Sequence, residues 1–250
     1  MHDFHLHLAR LNNPENIADE LNRRGYHYVD VGCEPWEWTK VRDLNRAEVS
    51  CTGKCAEVNC AAYGIHPMIA EKATEEDFAT LRKFLESDPD AKVGEAGLDR
   101  RFPGYEPGGV QESVFRRQAE LALELTRDLQ IHCVGDYARI VKVLREAGFK
   151  TGVAQNNAPR PVFHRFGGDV SAVRAGIELG AIFSLHKDSF RKKSTVAAIP
   201  LIPRDCVRFE TDADETYCKA CAVPTTEIAE ALIKDLGDVQ RLYELAIKGA

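Results

Sequence analysis

Eight short apolar runs, each separated from the next by a longer stretch, set the tightest limit on what this chain can fold into. They read "DFHLHL" (3–8), "YHYVDVG" (26–32), "CAAYGIHP" (60–67), "AKVGEAGLD" (91–99), "DLQIHCVG" (128–135), "PVFHRFG" (161–167), "GAIFSLH" (180–186) and "CVRFETD" (206–212). Each has the length and apolar content of a strand. The stretches between them carry helical spacing. In 111–127 an apolar stripe through Val114, Ala119, Leu121 and Leu125 faces away from the charges. Residues 75–86 behave the same way, and Gly148 follows "ARIVKVLREA" as a C-cap signal. Eight strands alternating with helices within 250 residues predict an α/β chain, a (β/α)8 TIM barrel folded as a single domain over residues 1–250. A doubly wound open sheet is the competing architecture.

In a barrel of this kind, chemistry is carried by residues at the C-terminal ends of strands. The polar residues fall there: His5 and His7 on strand 1, Glu34 on strand 2, His66 on strand 3, Glu95 and Asp99 on strand 4. They continue with His132, His164 and His186 on strands 5 to 7, and with Glu210 and Asp212 on strand 8. Of the eight histidines, only His2 and His27 lie elsewhere. The first strand is the densest case. Its alternation puts Asp3, His5 and His7 on one face and Phe4, Leu6 and Leu8 on the other. Taken alone, that face reads either as a metal site or as hydrogen-bonded histidines in a core.

Four histidines with carboxylates suit one or two divalent ions, with imidazole favouring zinc and carboxylates also accepting magnesium or manganese. Two such ions about 3.5–4 Å apart commonly share a carboxylate and bring the pKa of bound water toward about 7. Strand 4 lies across the barrel mouth from strand 1, which places Glu95 to bridge. Asp212 is placed to hold one ion and take the proton of the attacking water.

These residues sit in blocks that resemble the TatD-related deoxyribonucleases, metal-dependent hydrolases of the amidohydrolase-like barrels. The blocks are "DFHLH" (3–7), "YGIHP" (63–67), "VGEAGLD" (93–99), "QESVFRRQAELALEL" running into "QIH" (111–132), "VFHRFGG" (162–168) and "ETDAD" (210–214). The resemblance implies one ion on His5, His7, Glu95 and Asp212, and a second on Glu95, His132 and His164. It also implies His66 near the substrate phosphate, so that Asp212 and His66 are the expected catalytic residues. The expected cofactors are therefore two divalent ions (zinc, magnesium or manganese), and the expected substrate is a DNA end or a small phosphodiester. Three positions depart from the pattern. Val134 stands where the family has an arginine, Asp214 where it has a proline, and the C-terminal asparagine is not evident in "DVQRLYELAIKG".

A net charge of −6 gives no overall pull toward nucleic acid, so a polyanion has to be held by local cations. The loops after the strands supply Arg100, Arg101, Arg165, Lys187, Arg191, Lys192 and Lys193. Of these, Arg100, Arg165, Lys192 and Lys193, together with His66, are the expected substrate contacts. Phe102, Tyr105, Phe166 and Phe190 lie among them as candidate platforms for bases. The competing reading is a set of solvated loop charges, diluted by Asp99, Asp136, Asp188 and Glu215.

No run of 18 apolar residues is present and no export signal precedes the first strand, so no membrane partner is expected. The eight cysteines then read as reduced thiols of a cytoplasmic protein. Cys51 and Cys55, near Cys60, fall toward one face of the barrel, whereas Cys218 and Cys221 fall toward the other. One zinc site built from all four is not expected, and a labile pair at 218 and 221 remains open. The alternative functions are hydrolysis of a small amide, lactone or phosphoester, and a non-catalytic metal- or thiol-binding role. Glu95 at the strand 4 position, where many related barrels carry a carboxylated lysine, favours the TatD type.

Overall fold

In the computed structural model, residues 1–46, 59–150, 158–217 and 227–249 are described. The eight strands are β1 (His2–Leu6), β2 (His27–Gly32), β3 (Cys60–Tyr63), β4 (Lys92–Asp99), β5 (Leu129–Val134), β6 (Pro161–Phe163), β7 (Ile182–Leu185) and β8 (Val207–Phe209). They lie in sequence order in one sheet, every neighbouring pair parallel. A doubly wound sheet reverses its order part-way; this one does not. His5 O accepts from Asp212 N at 2.9 Å and Ala213 O accepts from His7 N at 2.8 Å, which ties the segment after β8 to β1 and brings the sheet round into a barrel.

The strands are shorter than the sequence suggests. β6 and β8 have three residues each, so His164, Glu210 and Asp212 stand just past the ends of those strands. The helices follow their capping chemistry. α3 (Glu75–Ser87) starts at a Thr74–Asp77 capping box, and α5 (Tyr137–Ala147) starts at Asp136 and ends at Gly148 in the left-handed conformation. α4 (Val110–Leu125) sets its Val114, Phe115, Ala119 and Leu121 face against the barrel core of Tyr63, Val93, Leu98 and Ile131. Among the described residues no helix is long and apolar enough to cross a membrane.

One close approach fixes where β4 meets β5. Gly97 has φ +156°, and a Cβ there would lie 1.9 Å from His132 O. Only glycine allows the two strands to draw together with Glu95 and His132 side by side.

Candidate metal centre

Glu95, 3 % exposed, stands at the floor of a cavity of about 1270 Å³ that opens at the C-terminal ends of the strands. Its two oxygens face two different groups. Oε2 lies 3.4 Å from His5 Nε2 and 3.8 Å from His7 Nε2, while Asp212 Oδ1 lies 3.9 and 3.4 Å from the same two nitrogens. Four ligands on one tetrahedral ion with bonds of about 2.0–2.2 Å stand about 3.3–3.6 Å apart, close to this spacing. Oε1 contacts His132 Nδ1, lies 2.6 Å from His164 Nε2, and those two nitrogens are 3.3 Å from each other.

The ring nitrogens on the far sides decide which atom each histidine offers. His5 Nδ1 meets Gln130 Oε1 at 3.4 Å, and His7 Nδ1 meets Val31 O at 2.9 Å. His164 Nδ1 faces Glu210 Oε1 at 3.3 Å, and His132 Nε2 faces Asp99 Oδ2 at 2.9 Å. Each partner accepts a hydrogen bond from the ring N–H, so the other nitrogen of each ring is aimed at Glu95 or Asp212 and is free to ligate. His66 is built the opposite way. Its Nδ1 accepts from Met68 N at 3.0 Å, which leaves the proton on Nε2, 3.6 Å from Glu95 Oε1. Burial holds its pKa down to about 3, so His66 is a neutral ring whose Nε2–H faces the cluster.

The electrostatics suit cations at both positions. Burial pushes the Glu95 carboxyl up, but the His164, His132 and His66 rings outweigh it and hold the group well below the usual carboxylate range. Burial lowers His132 and His164, yet each ring is caught between two carboxylates and ends above the ordinary histidine value. A divalent ion would compete with these protons for the same ring nitrogens. Buried His5 Nε2 and Glu210 Oε2 have no hydrogen-bond partner, a further mark of a site built for ions.

Supporting residues hold these groups in place. Gln118 on α4 bonds both Ile65 N (2.8 Å) and Ile65 O (2.9 Å), fixing the turn that presents His66. Gln111 does the same for Asp99 N and O, at 2.8 and 3.0 Å. An amphipathic reading of α4 assigns no work to these two fully buried glutamines. Arg165 and Asp212, both lining the cavity, are two of only four non-glycine residues in the left-handed region among the described residues. Such strain of about 1–3 kcal/mol gathers at functional sites.

Several expected members are elsewhere. Glu34 pairs with Arg10 at 3.0 Å and does not line the cavity; strand 2 contributes the neighbouring Cys33. His186 caps a 3-10 turn by accepting from Asp188 N at 3.1 Å. Asp3 is taken up by Thr211 and Tyr26, with bonds of 2.6 and 2.9 Å, and is not in the cluster. On the rim, Arg101 is bound to Asp99, Arg165 to Asp212 and Asp188, Arg191 to Asp188, and Lys187 to Asp235. Among the described residues Arg100 and Lys192 line the cavity without an ion pair, and Lys193 is exposed outside the lining. Of the four aromatics only Phe102 reaches the cavity; Phe166 is fully buried among Tyr137, Phe163 and Phe183, and Phe190 packs on the core. Tyr105 accepts from Asp136 N at 3.1 Å. Cys51, Cys55, Cys218 and Cys221 lie outside the described residues.

Residues 2–235 match the sequence model of the family described as TatD related DNase. The chain belongs to that family. It is 27% identical over 194 residues to the uncharacterized metal-dependent hydrolase YabD of Bacillus subtilis, a match covering 72% of this chain and 73% of the relative. It is 30% identical over 156 residues to the 3'-5' ssDNA/RNA exonuclease TatD of Edwardsiella piscicida, covering 61% of this chain and 57% of that one. The match thus spans less than two thirds of the exonuclease. The crystal structure of YJJV, a TatD homolog from Escherichia coli K12, superposes with a TM-score of 0.69 at 21% identity over 94% of this chain and 95% of the other, a likeness of fold.

The bond from Asp99 to His132 carries a prediction. With an ion on each donor group, replacing Asp99 by alanine would remove the group that fixes the His132 tautomer and weaken the ion beside that ring by about 10–100-fold. The ion on His5 and His7 should be spared. Calorimetric titration resolves the two; an unchanged pair of affinities would remove Asp99 from the site's support.

Proposed function

We propose that this TatD-family hydrolase is a two-metal phosphodiesterase that cleaves single-stranded nucleic acid from its ends. The observation that carries the reading is Glu95, whose two oxygens serve two separate donor groups at the floor of one cavity. His5, His7, Glu95 and Asp212 would hold one divalent ion, and Glu95, His132 and His164 the other. Bound there, such ions supply a water-derived nucleophile at neutral pH and polarise the phosphorus–oxygen bond. Asp212 takes the proton of the attacking water. His66 donates its Nε2 hydrogen to a phosphate oxygen, a task for which a neutral ring with a fixed tautomer is suited. Arg100 and Lys192 hold flanking phosphates, and Phe102, 6.1 Å from His66 between ring centres, offers a face to the terminal base. Arg165, held by both Asp212 and Asp188, would reach a phosphate only by leaving one of them.

The exonuclease names of relatives support this substrate class. The free thiols of Cys33, Cys60, Cys133 and Cys206 support a reducing compartment such as the cytoplasm. The test is a panel of single-stranded oligonucleotide, small phosphodiester, amide and lactone with Mg²⁺, Mn²⁺ and Zn²⁺. Phosphodiester cleavage abolished by a chelator is expected; turnover confined to the amide or lactone would overturn the proposal.

The rim makes a separate prediction. Replacing Arg100 and Lys192 by alanine should make the log–log salt dependence of oligonucleotide binding shallower by about 1.4, for two lost phosphate contacts. Hydrolysis of a small phosphodiester should be unchanged. Equal loss on both substrates would count against a phosphate-holding rim.

A further inference from the structure

Strand β2 ends at Gly32, and the next side chain, Cys33, enters the metal cluster. It is 2 % exposed, its Sγ lies 3.2 Å from Glu95 Oε2 and 3.8 Å from His7 Nδ1, and donor atoms of His7, Cys33 and Glu95 all fall within 4.8 Å of one another. Its backbone is held for this. Cys33 N donates to Glu37 Oε2 at 2.6 Å, and the fully buried Glu37 is itself gripped by Arg10. A second observation points to the same place. His5 Nε2, fully buried and without a hydrogen-bond partner, lies 3.4 Å from the same Glu95 Oε2. Among the described residues Cys33 is the one thiol that joins such a cluster.

We propose that Cys33 Sγ is an additional ligand of the ion held by His5, His7, Glu95 and Asp212. The inference rests on the two-ion reading above. On binding, the S–H bond breaks, its proton leaves to solvent, and the sulfur's electron pair goes to the ion. Metal–oxygen and metal–sulfur bonds of about 2.1 and 2.3 Å meeting near a right angle put their donors about 3.1 Å apart, close to the observed Sγ–Oε2 separation. A thiolate among imidazoles and carboxylates favours Zn²⁺ and Co²⁺ over Mg²⁺ and Mn²⁺, which prefer oxygen. This ion position is therefore selective for the softer metals, while the position on His132 and His164 lacks sulfur.

The test strips the full-length protein with a chelator and titrates it with Co²⁺. A sulfur-to-cobalt charge-transfer band in the near ultraviolet is expected to grow with the first equivalents; imidazole and carboxylate ligands give none. Cys33→Ser and Cys33→Ala should lose the band while elemental analysis still finds bound cobalt and circular dichroism shows the native fold. A variant with serine at Cys51, Cys55, Cys218 and Cys221 should keep it. In competition, the preference for Zn²⁺ over Mn²⁺ should fall by roughly tenfold or more in Cys33→Ser. Cobalt bound by the unaltered protein without the band, or a band unchanged in both Cys33 variants, overturns the assignment and leaves Cys33 a hydrogen-bond donor to Glu95. No cobalt uptake at all overturns the two-ion reading itself.

Discussion

Glu95→Gln protein should fold, bind both ions roughly 100-fold or more weakly than the unaltered protein, and lose turnover in parallel. The magnitude follows from the position. Glu95 is almost fully buried and, among the described residues, is the one carboxylate within reach of all of His5, His7, His66, His132 and His164. Glutamine preserves the volume but replaces a charge shared by two cations with a neutral amide. One end of that amide is then an NH₂ donor pointed at a site for a cation. Removing one partner from a buried set of opposite charges costs about 3–5 kcal/mol, which is two to four orders of magnitude in affinity. Because the loss is shared, the two affinities should fall together, unlike Asp99→Ala, which acts on one. Calorimetric titration with Zn²⁺ and Mn²⁺ alongside steady-state rates measures both. Two ions bound at unaltered affinity with normal turnover would remove Glu95 as the bridge.

The barrel was legible because strand-length apolar runs recur eight times with helical spacing between them, and the clustered histidines because period-two alternation and strand-end placement are visible in one dimension. What stayed hidden depends on contacts between distant elements. Cys33 follows an apolar strand, and a thiol there reads as core filling; only the approach of β2 to β4 puts its sulfur beside Glu95. Glu34, one residue on, looked the better candidate by charge alone, but Arg10 claims it. His186 ends a strand as the other histidines do, yet the chain turns at once and the ring is used to cap. Gln111 and Gln118 read as the polar side of a helix, whereas their amides replace missing ladder bonds at the ends of β4 and β3. The pairing of the basic rim is hidden for a related reason. Sequence counts cations but not the carboxylates that meet them, and Asp188 alone engages both Arg165 and Arg191.

Asp212→Asn separates holding an ion from moving a proton. The segment after β8 brings Asp212 to the barrel mouth in a left-handed conformation, with its backbone N–H on His5 O at 2.9 Å. Oδ1 faces His5 and His7, and Oδ2 takes Arg165 at 2.5 Å. Burial pushes this carboxyl up, but the hydrogen bond from His7 and the charges of His164, His5 and His7 outweigh it, so the group is an ionised acceptor. Asparagine keeps the shape and an oxygen toward the two histidines but cannot accept a proton. The variant should keep its fold and the ion on His132 and His164, while hydrolysis falls by at least ~100-fold, the span of a lost general base. Rates should be read with both ions confirmed by elemental analysis, since a rate lost with the metal says nothing of the base. Two neighbouring groups are already committed. Asp99 Oδ2 is shared between His132 and Arg101, and His66 carries its proton on the nitrogen that faces the cluster. Near-normal turnover in Asp212→Asn with both ions in place would overturn Asp212 as the base and turn attention to Glu210, whose Oε2 has no hydrogen-bond partner.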